Sequence, residues 1–495
     1  MTPPKSLCST VSERSYLPVP YPLSVEIAFA AKAYSARKHV CWRIREALQL
    51  SMQLTIEKLV YGGDGLARLP ADDSGKGKAA FVPFVLAGEE VVAALTEQRA
   101  GFARGRLESV LKMSPQRIEP HCPHFTTCGG CHYQHARYEE QLKIKVEILR
   151  ENLRRLAKYE LETEVVVHAS PPWNYRNRTR LALRHGGGFK LGYRRFASDE
   201  VLAVEECPIV SPLLQQAIYA IWKLGRDGSI PASLHEAELF ADAEDEKLMA
   251  VFHQAAGDQN FPARLIGSLQ AELPSLESIA AVSERTPSRK QPDPEPSKPK
   301  VLAGSGFLTY NVGEYAYQVS VAAFFQSNRH LIPELVRIVT AGPSGKTAAG
   351  EVALDLYAGV GLFSLPLAAD FQRVIAVESS PLSFGDLRRN LPPHAKAVRA
   401  TTESYLEDAG RKLRADLIVV DPPRTGLGAR VAKSLVQSGT PRITYVSCDP
   451  ATLARDLAIL IDGGYRVAEA HLVDLFPQTY HLETVLHLAW QGARK

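Results

Sequence analysis

The chain divides into stretches that differ in how apolar and polar residues alternate. From Met52 onward, short runs with alternating apolar residues occur at 54–60, 79–85, 90–95 and 102–110. Glycines separate these runs, and several short strands joined by glycine turns are typical of a small β-barrel. We therefore predict a barrel over residues 52–112.

Several basic residues lie along the predicted barrel. They include Lys58, Arg68, Lys76, Lys78, Arg99, Arg104 and Arg106. One interpretation is a solvated surface on a structural module. The other is a nucleic-acid-binding barrel of the OB type, in which basic side chains neutralise phosphates, and this second interpretation is preferred.

Residues 138–158 show a helical period instead. Apolar residues recur three and four positions apart, at Leu142, Val146, Leu149, Leu153 and Leu156. Such a stripe predicts an amphipathic helix that buries one face. Its other faces are rich in lysine and arginine.

A strongly basic stretch follows at 175–196, with seven arginines and lysines and no acidic residue. Arg176, Arg178 and Arg180 alternate, so a strand would place all three on one face, opposite Leu181 and Leu183. Because no neighbouring residue in the sequence balances their charge, we predict contacts with RNA phosphates. The alternative is a solvated edge strand.

The C-terminal part of the chain alternates strand and helix patterns. Short apolar runs at 352–357, 373–377, 415–420 and 442–447 are typical of buried parallel strands. They predict a doubly wound α/β domain over 331–495, preceded by a central domain over 113–330. Near 283–300, five prolines and no apolar residue predict a disordered insertion.

The N-terminal residues and the overall composition add less. Residues 1–51 are expected to form a poorly structured extension, with translation beginning at Met52. The 495 residues carry a net charge of +4, which is too small to identify a nucleic-acid partner. No apolar run reaches 18 residues and no secretory signal is recognised, so we expect a cytoplasmic protein without a membrane span.

A glycine loop closes the first strand of the α/β domain. Residues 355–361 read Asp-Leu-Tyr-Ala-Gly-Val-Gly, and Ser364 stands where a dinucleotide-binding fingerprint would have its third glycine. Glu378 ends the next strand, where a carboxylate can accept hydrogen bonds from ribose hydroxyls. Asp421, followed by Pro-Pro-Arg, ends a later strand at the same edge. These features predict a nucleotide site, although other Rossmann-like enzymes share them.

Cys448 follows the strand at 442–447 directly. A lone cysteine is usually a buried structural residue. Here, however, a helix starting near Pro450 would direct its N-terminal dipole at the sulfur and favour a thiolate nucleophile. A nucleophile of this kind needs a base. The stretch 476–483 offers two candidates, of which Glu483 is preferred over the alternative of a surface carboxylate opening the last strand.

These motifs resemble the RNA uracil-5-methyltransferase family. The similarity rests on 324–328, 355–361, 421–424, 447–450 and 476–483, in the family's order. It extends from about Met52 to the C-terminus and is greatest for the bacterial members that carry a TRAM domain and act on 23S ribosomal RNA. Two positions depart from some members: Asp449 and Leu362 stand where those members have asparagine.

The resemblance implies a fold and a reaction. The fold would be a Rossmann-like class I methyltransferase domain, an OB-like TRAM barrel and a central α+β RNA-binding domain. Cys448 would be the nucleophile and Glu483 the proton acceptor, giving 5-methyluridine through a covalent cysteine–uridine adduct. The residues that would hold S-adenosylmethionine are Gln326, Tyr357, Glu378 and Asp421.

Four further cysteines have metal-ligand spacing. Cys122, Cys128 and Cys131 are separated by five and two residues, and Cys207 is the distal candidate. The spacing alone fits zinc or an iron–sulfur cluster equally well. The resemblance implies a [4Fe–4S] cluster. Because methyl transfer moves no net electrons, the cluster would have a structural role or a role in RNA binding rather than a redox role.

Other functions remain to be weighed against methylation of 23S ribosomal RNA. The same chemistry on transfer RNA is the nearest alternative. A non-catalytic RNA-binding factor is disfavoured because both Cys448 and Glu483 are present. A radical S-adenosylmethionine enzyme is disfavoured because the cysteines lack the compact CxxxCxxC pattern. We expect a monomer with an RNA partner and no membrane partner.

Overall fold

The computed structural model describes six stretches of the chain. They are 51–70, 77–254, 261–283, 298–342, 349–410 and 414–492. The predictions of an N-terminal extension over 1–51 and of a disordered insertion near 283–300 fall almost wholly outside the described residues. Among the described helices, none has the length and apolar character needed to cross a bilayer.

The N-terminal strands form one six-stranded sheet, as the alternation predicts. They are β1 (Ser51–Thr55), β2 (Lys58–Leu59), β3 (Asp64–Arg68), β4 (Ala79–Pro83), β5 (Glu90–Gln98) and β6 (Phe102–Lys112), in the order β1-β5-β6-β4-β3-β2. Apolar residues from every second position, among them Ile56, Val82 and Val91, are fully buried on one face. Gly65 lies so close to Val85 and Ile56 that a β-carbon would clash with both.

Most of the basic residues on this sheet have carboxylate neighbours. The ion pairs are Lys58–Glu151, Arg68–Glu57, Arg99–Glu97, Arg104–Asp64 and Arg106–Glu108. Exposed pairs of this type contribute little to stability. The sheet surface therefore carries mixed charge rather than a uniformly positive face.

Helix α1 (Tyr138–Leu156) joins this sheet to the rest of the molecule. Its buried face matches the predicted stripe only in part: Leu149 and Leu153 are buried, whereas Leu156 is 51% exposed and Leu142 is only partly buried. Ile144 and Ile148 are buried as well, together with two polar residues, Gln141 and Lys145. The buried polar pair binds a distant loop, described below, and that loop decides which face turns inward.

The central region contains a seven-stranded sheet in the order β10-β9-β8-β11-β12-β13-β14. Its strands are β8 (Arg178–Arg184), β9 (Lys190–Arg194), β10 (Val201–Ala203), β11 (Leu234–Ala241), β12 (Leu248–Gln254), β13 (Leu276–Ser283) and β14 (Lys300–Ala303). Helices α2 (Pro212–Arg226) and α3 (Ala263–Glu272) share a core with this sheet, as buried Leu214, Ile218 and Leu265 show. A hairpin follows, formed by β15 (Phe307–Val312) and β16 (Tyr315–Ser320).

The prediction that the arginines near β8 contact RNA phosphates assumed that no carboxylate balances their charge, and this assumption is wrong. Arg178 pairs with Glu238 and Arg180 with Glu236, both on the adjacent strand β11. Arg176 is half-buried beside the cysteines. The balancing carboxylates lie about 60 residues away in sequence, so the local charge count missed them. Leu181 and Leu183 are buried, as predicted.

The C-terminal region is a doubly wound α/β sheet of eight strands, ordered β19-β18-β17-β20-β21-β23-β22-β7, where β7 is the earlier segment Val165–His168. The strands of this region are β17 (Gly350–Leu356), β18 (Phe371–Glu378), β19 (Lys396–Arg399), β20 (Leu417–Val420), β21 (Arg442–Ser447), β22 (Tyr465–Val473) and β23 (Thr484–Trp490). The helices are α4 (Ile332–Thr340), α5 (Ser364–Asp370), α6 (Pro381–Asn390), α7 (Thr402–Tyr405), α8 (Gly428–Ser438) and α9 (Pro450–Asp462), with a π-helical turn at Leu406–Gly410. Strands β17 to β21 are parallel, whereas β23 is antiparallel to both neighbours.

The predicted division between 113–330 and 331–495 does not separate two sheets. Strand β7 (Val165–His168) lies in the first range but pairs in parallel with β22 in the second. Furthermore, Ile148 of α1 and Leu457 of α9 belong to one continuous core that also includes the N-terminal sheet. Four residues are too short a strand to stand out in the sequence, so this connection could not be predicted from it.

Candidate active site

A crevice forms where the chain order of the parallel sheet reverses, at the carboxyl ends of β17 and β20. Ligands bind at this position in doubly wound sheets. The loop after β17 turns sharply, with positive φ angles at Tyr357, Gly359 and Gly361 of 63°, 57° and 96°. No atom lies within 4 Å of the position that a β-carbon on Gly359 would occupy, so the loop borders open space.

Glu378, at the end of β18, holds this loop in place. Its carboxylate accepts hydrogen bonds from the Gly359 N–H at 2.8 Å and from the Ser380 N–H at 2.6 Å. Each carboxylate oxygen keeps a further acceptor site. Glu378 therefore combines two tasks, fixing the glycine loop and presenting acceptors to a ligand that lies across the strand ends.

Two acidic side chains face each other across the reversal point. Burial raises the pKa of Asp355 to about 7, although Ser364 donates a hydrogen bond to it and opposes the rise. Burial and the nearby charge of Asp355 raise the pKa of Asp421 to about 7 as well. Asp355 Oδ1 is buried without a hydrogen-bond partner. Unsatisfied acceptors and paired acids indicate a polar or cationic ligand between them.

The Gln326 motif lies against the same loop. Gln326 is buried, and its neighbour Phe325 packs on Tyr317, whose hydroxyl donates to the carbonyl of Leu362 at 2.9 Å. Asn328 donates to the carbonyl of Leu475 at 3.1 Å. The motif thus connects the glycine loop with the loop that precedes β23.

Cys448 stands between the end of β21 and the start of α9, as predicted. Asp449 caps α9 by accepting hydrogen bonds from Ala451 N and Thr452 N at 3.0 and 2.9 Å. An asparagine at 449 would cap in the same way, so this departure from some family members is conservative. The cysteine is half-buried, and Tyr61 of the N-terminal sheet donates to its carbonyl at 3.2 Å.

The predicted thiolate is not favoured in the free protein. Burial, followed by the charges of Glu483 and Asp421, raises the pKa of Cys448 to about 12, and only Arg424 acts in the opposite direction. Burial, together with the carboxylates near the sulfur, therefore outweighs the helix dipole. The prediction counted the helix but not these carboxylates, because they come from other strands.

Glu483 lies next to Cys448 across two antiparallel strands. Ser447 of β21 pairs with Thr484 of β23, so the residues one step outward, Cys448 and Glu483, lie at the same end of the sheet. Glu483 is 4% exposed. Burial and Asp421 raise its pKa well above the usual range, while Arg424 opposes the rise. The alternative of a surface carboxylate is thereby excluded.

The loop that leads to Glu483 is clamped by α1. Lys145 Nζ donates to Asp474 Oδ1 at 2.6 Å and to the carbonyl of Phe476 at 3.0 Å, and the lysine and aspartate side chains are fully buried. Gln141 exchanges hydrogen bonds with the side chain and backbone of Gln478. These residues were missed because a lysine and a glutamine in a helix are usually exposed.

Aromatic and basic side chains from three regions surround the mouth of the site. Tyr480 contacts Tyr61 and His132, with ring centroids 5.5 and 4.6 Å apart. Beside His132, a cleft is lined by Arg194, Arg195 and Phe196. Bases stack on aromatic rings, so this mouth suits a single-stranded nucleic acid. Arg194 and Arg195 pair with Asp199 and Glu200, so a phosphate would compete with these carboxylates for the two arginines. The sequence signal was the basic stretch at 175–196, although its predicted contacts were assigned to other arginines.

The four candidate metal ligands are brought together. Cys122, Cys128, Cys131 and Cys207 line one small cavity, with Arg176 and Tyr193 beside them. Gln134 accepts a hydrogen bond from Cys122 N, and Gln215 accepts one from Cys207 N, which fixes the loops that carry them. The Arg176 Nε is buried there without a hydrogen-bond partner. Cysteine thiolates are soft metal ligands, and a guanidinium nitrogen without an acceptor lies beside them. This combination fits a metal–thiolate group that carries a net negative charge.

The strand order, the glycine loop with its acidic strand end, and a cysteine beside a carboxylate define the class of S-adenosylmethionine-dependent methyltransferases. The model of the tRNA (Uracil-5-)-methyltransferase family matches residues 137–393 and 405–491, and the TRAM-domain model matches residues 51–107. The chain belongs to this family, and it is an S-adenosylmethionine-dependent RNA uracil-5-methyltransferase.

Relatives of known sequence and structure span almost the whole matched region. An uncharacterized RNA methyltransferase of Thermotoga maritima is 32% identical, covering 88% of this chain and 98% of that protein. A 23S rRNA (uracil(1939)-C(5))-methyltransferase of Pseudomonas putida is 30% identical, covering 88% and 92%. The solved tRNA (uracil-54, C5)-methyltransferase of Pyrococcus abyssi, in complex with S-adenosyl-L-homocysteine, is 26% identical with a TM-score of 0.66, covering 88% and 100%.

Proposed function

We propose that this enzyme methylates carbon 5 of one uridine in 23S ribosomal RNA through a covalent adduct with Cys448. The observation that carries the chemistry is the placement of Cys448 and Glu483 side by side at the edge of the crevice. Support for the RNA comes from the Pseudomonas putida relative named for 23S rRNA, similar over 88% of the chain. The TRAM match over 51–107 supports RNA binding.

In the proposed mechanism the sulfur of Cys448 adds to carbon 6 of the uracil ring. The electrons of the 5,6 double bond move to the carbonyl at carbon 4, giving an enolate whose carbon 5 is nucleophilic. S-adenosylmethionine supplies an electrophilic methyl group: carbon 5 bonds to it while the bond between the methyl group and the sulfonium sulfur breaks, which leaves S-adenosylhomocysteine. The high pKa of Cys448 implies that the thiol must give its proton to solvent before the sulfur adds to carbon 6.

Glu483 completes the reaction as the base. After methylation, carbon 5 carries both a methyl group and a proton, and Glu483 removes the proton. The electrons then re-form the 5,6 double bond and the carbon–sulfur bond breaks, which releases the thiolate. A raised pKa makes Glu483 a stronger base than an ordinary carboxylate, provided that it is ionised in the complex.

Four residues are proposed to hold the methyl donor. Tyr357 and Glu378 follow β17 and β18 at the glycine loop, Asp421 follows β20, and Gln326 is buried behind the loop. Their carboxylates and amide fit ribose hydroxyls and the donor's cationic groups. The open space at Gly359 and the unsatisfied Asp355 Oδ1 support this fit.

The cysteine group is proposed to hold a [4Fe–4S] cluster. A single zinc ion with Zn–S bonds of about 2.3 Å places its sulfurs about 3.8 Å apart. In this structure, no three of the four described cysteine sulfurs lie within 4.8 Å of one another. The wider separation supports a multi-iron cluster, which would tie the loop at 122–131 to the segment around Cys207.

Anaerobic purification tests the cluster. We expect about four iron and four sulfide ions per chain and a brown protein, with both lost together in Cys207→Ser. The exposed residue Ser198, replaced by alanine, is a control that should change neither content. A colourless protein with one zinc per chain would contradict the assignment.

The substrate is tested by mapping 5-methyluridine in cellular RNA with and without the gene. Loss of one 5-methyluridine from 23S ribosomal RNA, restored by the wild-type gene and not by a Cys448→Ala variant, is the expected result. Loss from transfer RNA alone would establish the second candidate, which the Pyrococcus abyssi structure favours. Because the Pseudomonas putida relative is a bacterial enzyme named for 23S rRNA, we propose that this enzyme works in the cytoplasm.

A further inference from the structure

In the eight-stranded sheet, the neighbouring strands β21, β23, β22 and β7 carry a group of polar side chains that the methylation chemistry does not use. It consists of Glu469 and His471 on β22, His487 on β23, His168 on β7 and Thr444 on β21. We propose that Glu469, His471 and His487 bind a divalent transition-metal ion of the zinc type, separate from the cysteine site.

The backbone brings the three proposed ligands to one face of the sheet. Glu469 pairs directly with His487 across β22 and β23, and His471 is two residues beyond Glu469. Residues two apart on a strand share a face, and directly paired residues do as well. A register shift between Val467 and Glu469 resets the alternation just before the site. Without this irregularity, the sheet would turn Glu469 away from His487.

The ligand atoms are close enough for one ion. One carboxylate oxygen and one nitrogen of each histidine all lie within 4.8 Å of one another, and no other such group of three occurs among the described residues. His471 Nε2 lies 3.5 Å from Glu469 Oε2. Tetrahedral zinc with bonds of about 2.0–2.1 Å separates its ligand atoms by about 3.4 Å. Small side-chain rotations therefore complete the geometry.

His471 is oriented as a metal ligand. Its Nδ1 contacts His168 Nε2 at 3.1 Å, and His168 Nδ1 contacts Glu334 Oε1 at 2.9 Å. When His168 donates to the carboxylate, it accepts from His471 Nδ1–H, which leaves a lone pair on His471 Nε2. That nitrogen is buried and faces the carboxylate of Glu469, the third proposed ligand, at 3.5 Å. A carboxylate-anchored histidine of this kind is a frequent second shell of metal sites.

His487 is held in a comparable way. Its Nδ1 lies 3.1 Å from the hydroxyl of Thr444, and the ring also makes a hydrogen bond with the backbone of Ile338. An ion that coordinates His487 would replace one of these two contacts while the other keeps the ring oriented. The carboxylate of Glu469 is 29% exposed, so an ion can reach the site from solvent. Two imidazoles, a carboxylate and one water are a frequent ligand set for zinc.

The position of the site gives it a structural role. The ligands bridge β22 and β23, which continue into the two ends of the loop 474–483. At that point Val473 N donates to Glu483 O at 2.8 Å. A bound ion would fix these strands relative to each other and stabilise the base of the loop. The chemistry of the active site does not require it.

Cobalt titration of the full-length, cluster-loaded protein tests the proposal. We expect one equivalent of Co²⁺ to bind and to give d–d absorption of a tetrahedral site without a thiolate-to-cobalt charge-transfer band. Zn²⁺ should displace it. His471→Gln and His487→Gln should each weaken binding by about 100-fold or more, and Glu334→Gln by about 10- to 100-fold.

The exposed His330 provides the control, since His330→Gln should leave cobalt affinity unchanged. A variant can lose cobalt binding through misfolding. The melting temperature of the wild-type protein is therefore also measured, once with Zn²⁺ and once with a chelator that leaves the iron content intact. A higher melting temperature with Zn²⁺ is expected. Absence of a cobalt site in the wild type, binding through thiolates, or unchanged affinity in the histidine variants would overturn the proposal.

Discussion

The buried pair between Lys145 and Asp474 allows a sharp test of how the catalytic loop is held. Replacing Lys145 by methionine keeps most of the side-chain volume and removes the charge. Asp474 would then be buried without its cationic partner, and the carbonyl of Phe476 would lose a donor. We expect the loop 474–483, which ends at Glu483, to become locally unstable.

The size of the effect follows from the contacts. Breaking a fully buried ion pair by removing one partner costs about 3–5 kcal/mol, because the remaining charge is uncompensated. Tyr138 still donates to Asp474 at 2.8 Å, which favours the lower end of that range. A loss of about 3 kcal/mol corresponds to local opening that is about 100-fold more frequent.

Hydrogen exchange followed by mass spectrometry measures this opening directly. Peptides covering 474–483 should exchange about 100-fold faster in Lys145→Met, while peptides of the N-terminal sheet remain unchanged. The rate of methylation should fall, whereas affinity for S-adenosylmethionine should be retained because Lys145 is remote from the glycine loop. Adding Asp474→Asn removes the unpaired charge, so the double variant should recover part of the protection.

Lys143 on the same helix provides the matched control. Its side chain is 67% exposed and lies 3.8 Å from Glu140, so Lys143→Met should leave exchange and activity unchanged. If Lys145→Met behaved like Lys143→Met, the pair would not hold the loop. If the losses of exchange protection in Lys145→Met and Asp474→Asn simply added up in the double variant, the two residues would act independently.

Arg424→Gln should lower the methylation rate at neutral pH by up to about tenfold at saturating RNA, since Arg424 opposes the rise in the pKa of Cys448. The control Arg430→Gln, at an exposed position, should leave the rate unchanged. Equal rates in Arg424→Gln and the wild type would contradict this role of Arg424. Because burial raises the pKa of Cys448 to about 12, the single-turnover rate should rise about tenfold per pH unit between about pH 6 and pH 9; a flat profile would exclude rate-limiting attack by a thiolate of this pKa. Tyr61→Phe removes the bond to the Cys448 carbonyl, worth about 1 kcal/mol, and should slow single turnover less than tenfold; a total loss would show that Tyr61 has a larger role.

Local patterns were sufficient to predict much of the fold. The strand predicted at 442–447 is β21 without any shift, because a run of apolar residues in a buried parallel strand has clear ends. The start of α9 at Pro450 was also predictable, since Asp449 and Pro450 form an ordinary helix start. Cys448 could be placed between them for that reason alone.

Long-range contacts limited the rest. The buried face of α1 depends on Lys145 and Gln141, whose partners lie more than 320 residues later in the sequence. The charges of Arg178 and Arg180 are balanced from another strand. In the site, the high pKa of Cys448 results first from burial and then from the carboxylates of Glu483 and Asp421, which lie at the ends of two other strands. Each error came from a polar partner that only the folded chain brings near.

The covalent mechanism is tested most directly by Glu483→Gln. Glutamine cannot take the proton from carbon 5, so the reaction should stop after methyl transfer, with the RNA still bonded to Cys448. Incubation with S-adenosylmethionine and substrate RNA should therefore give a denaturation-resistant protein–RNA adduct, and the added Cys448→Ala change should abolish it. An active Glu483→Gln variant, or unmethylated free RNA without any adduct, would contradict the roles assigned to these two residues.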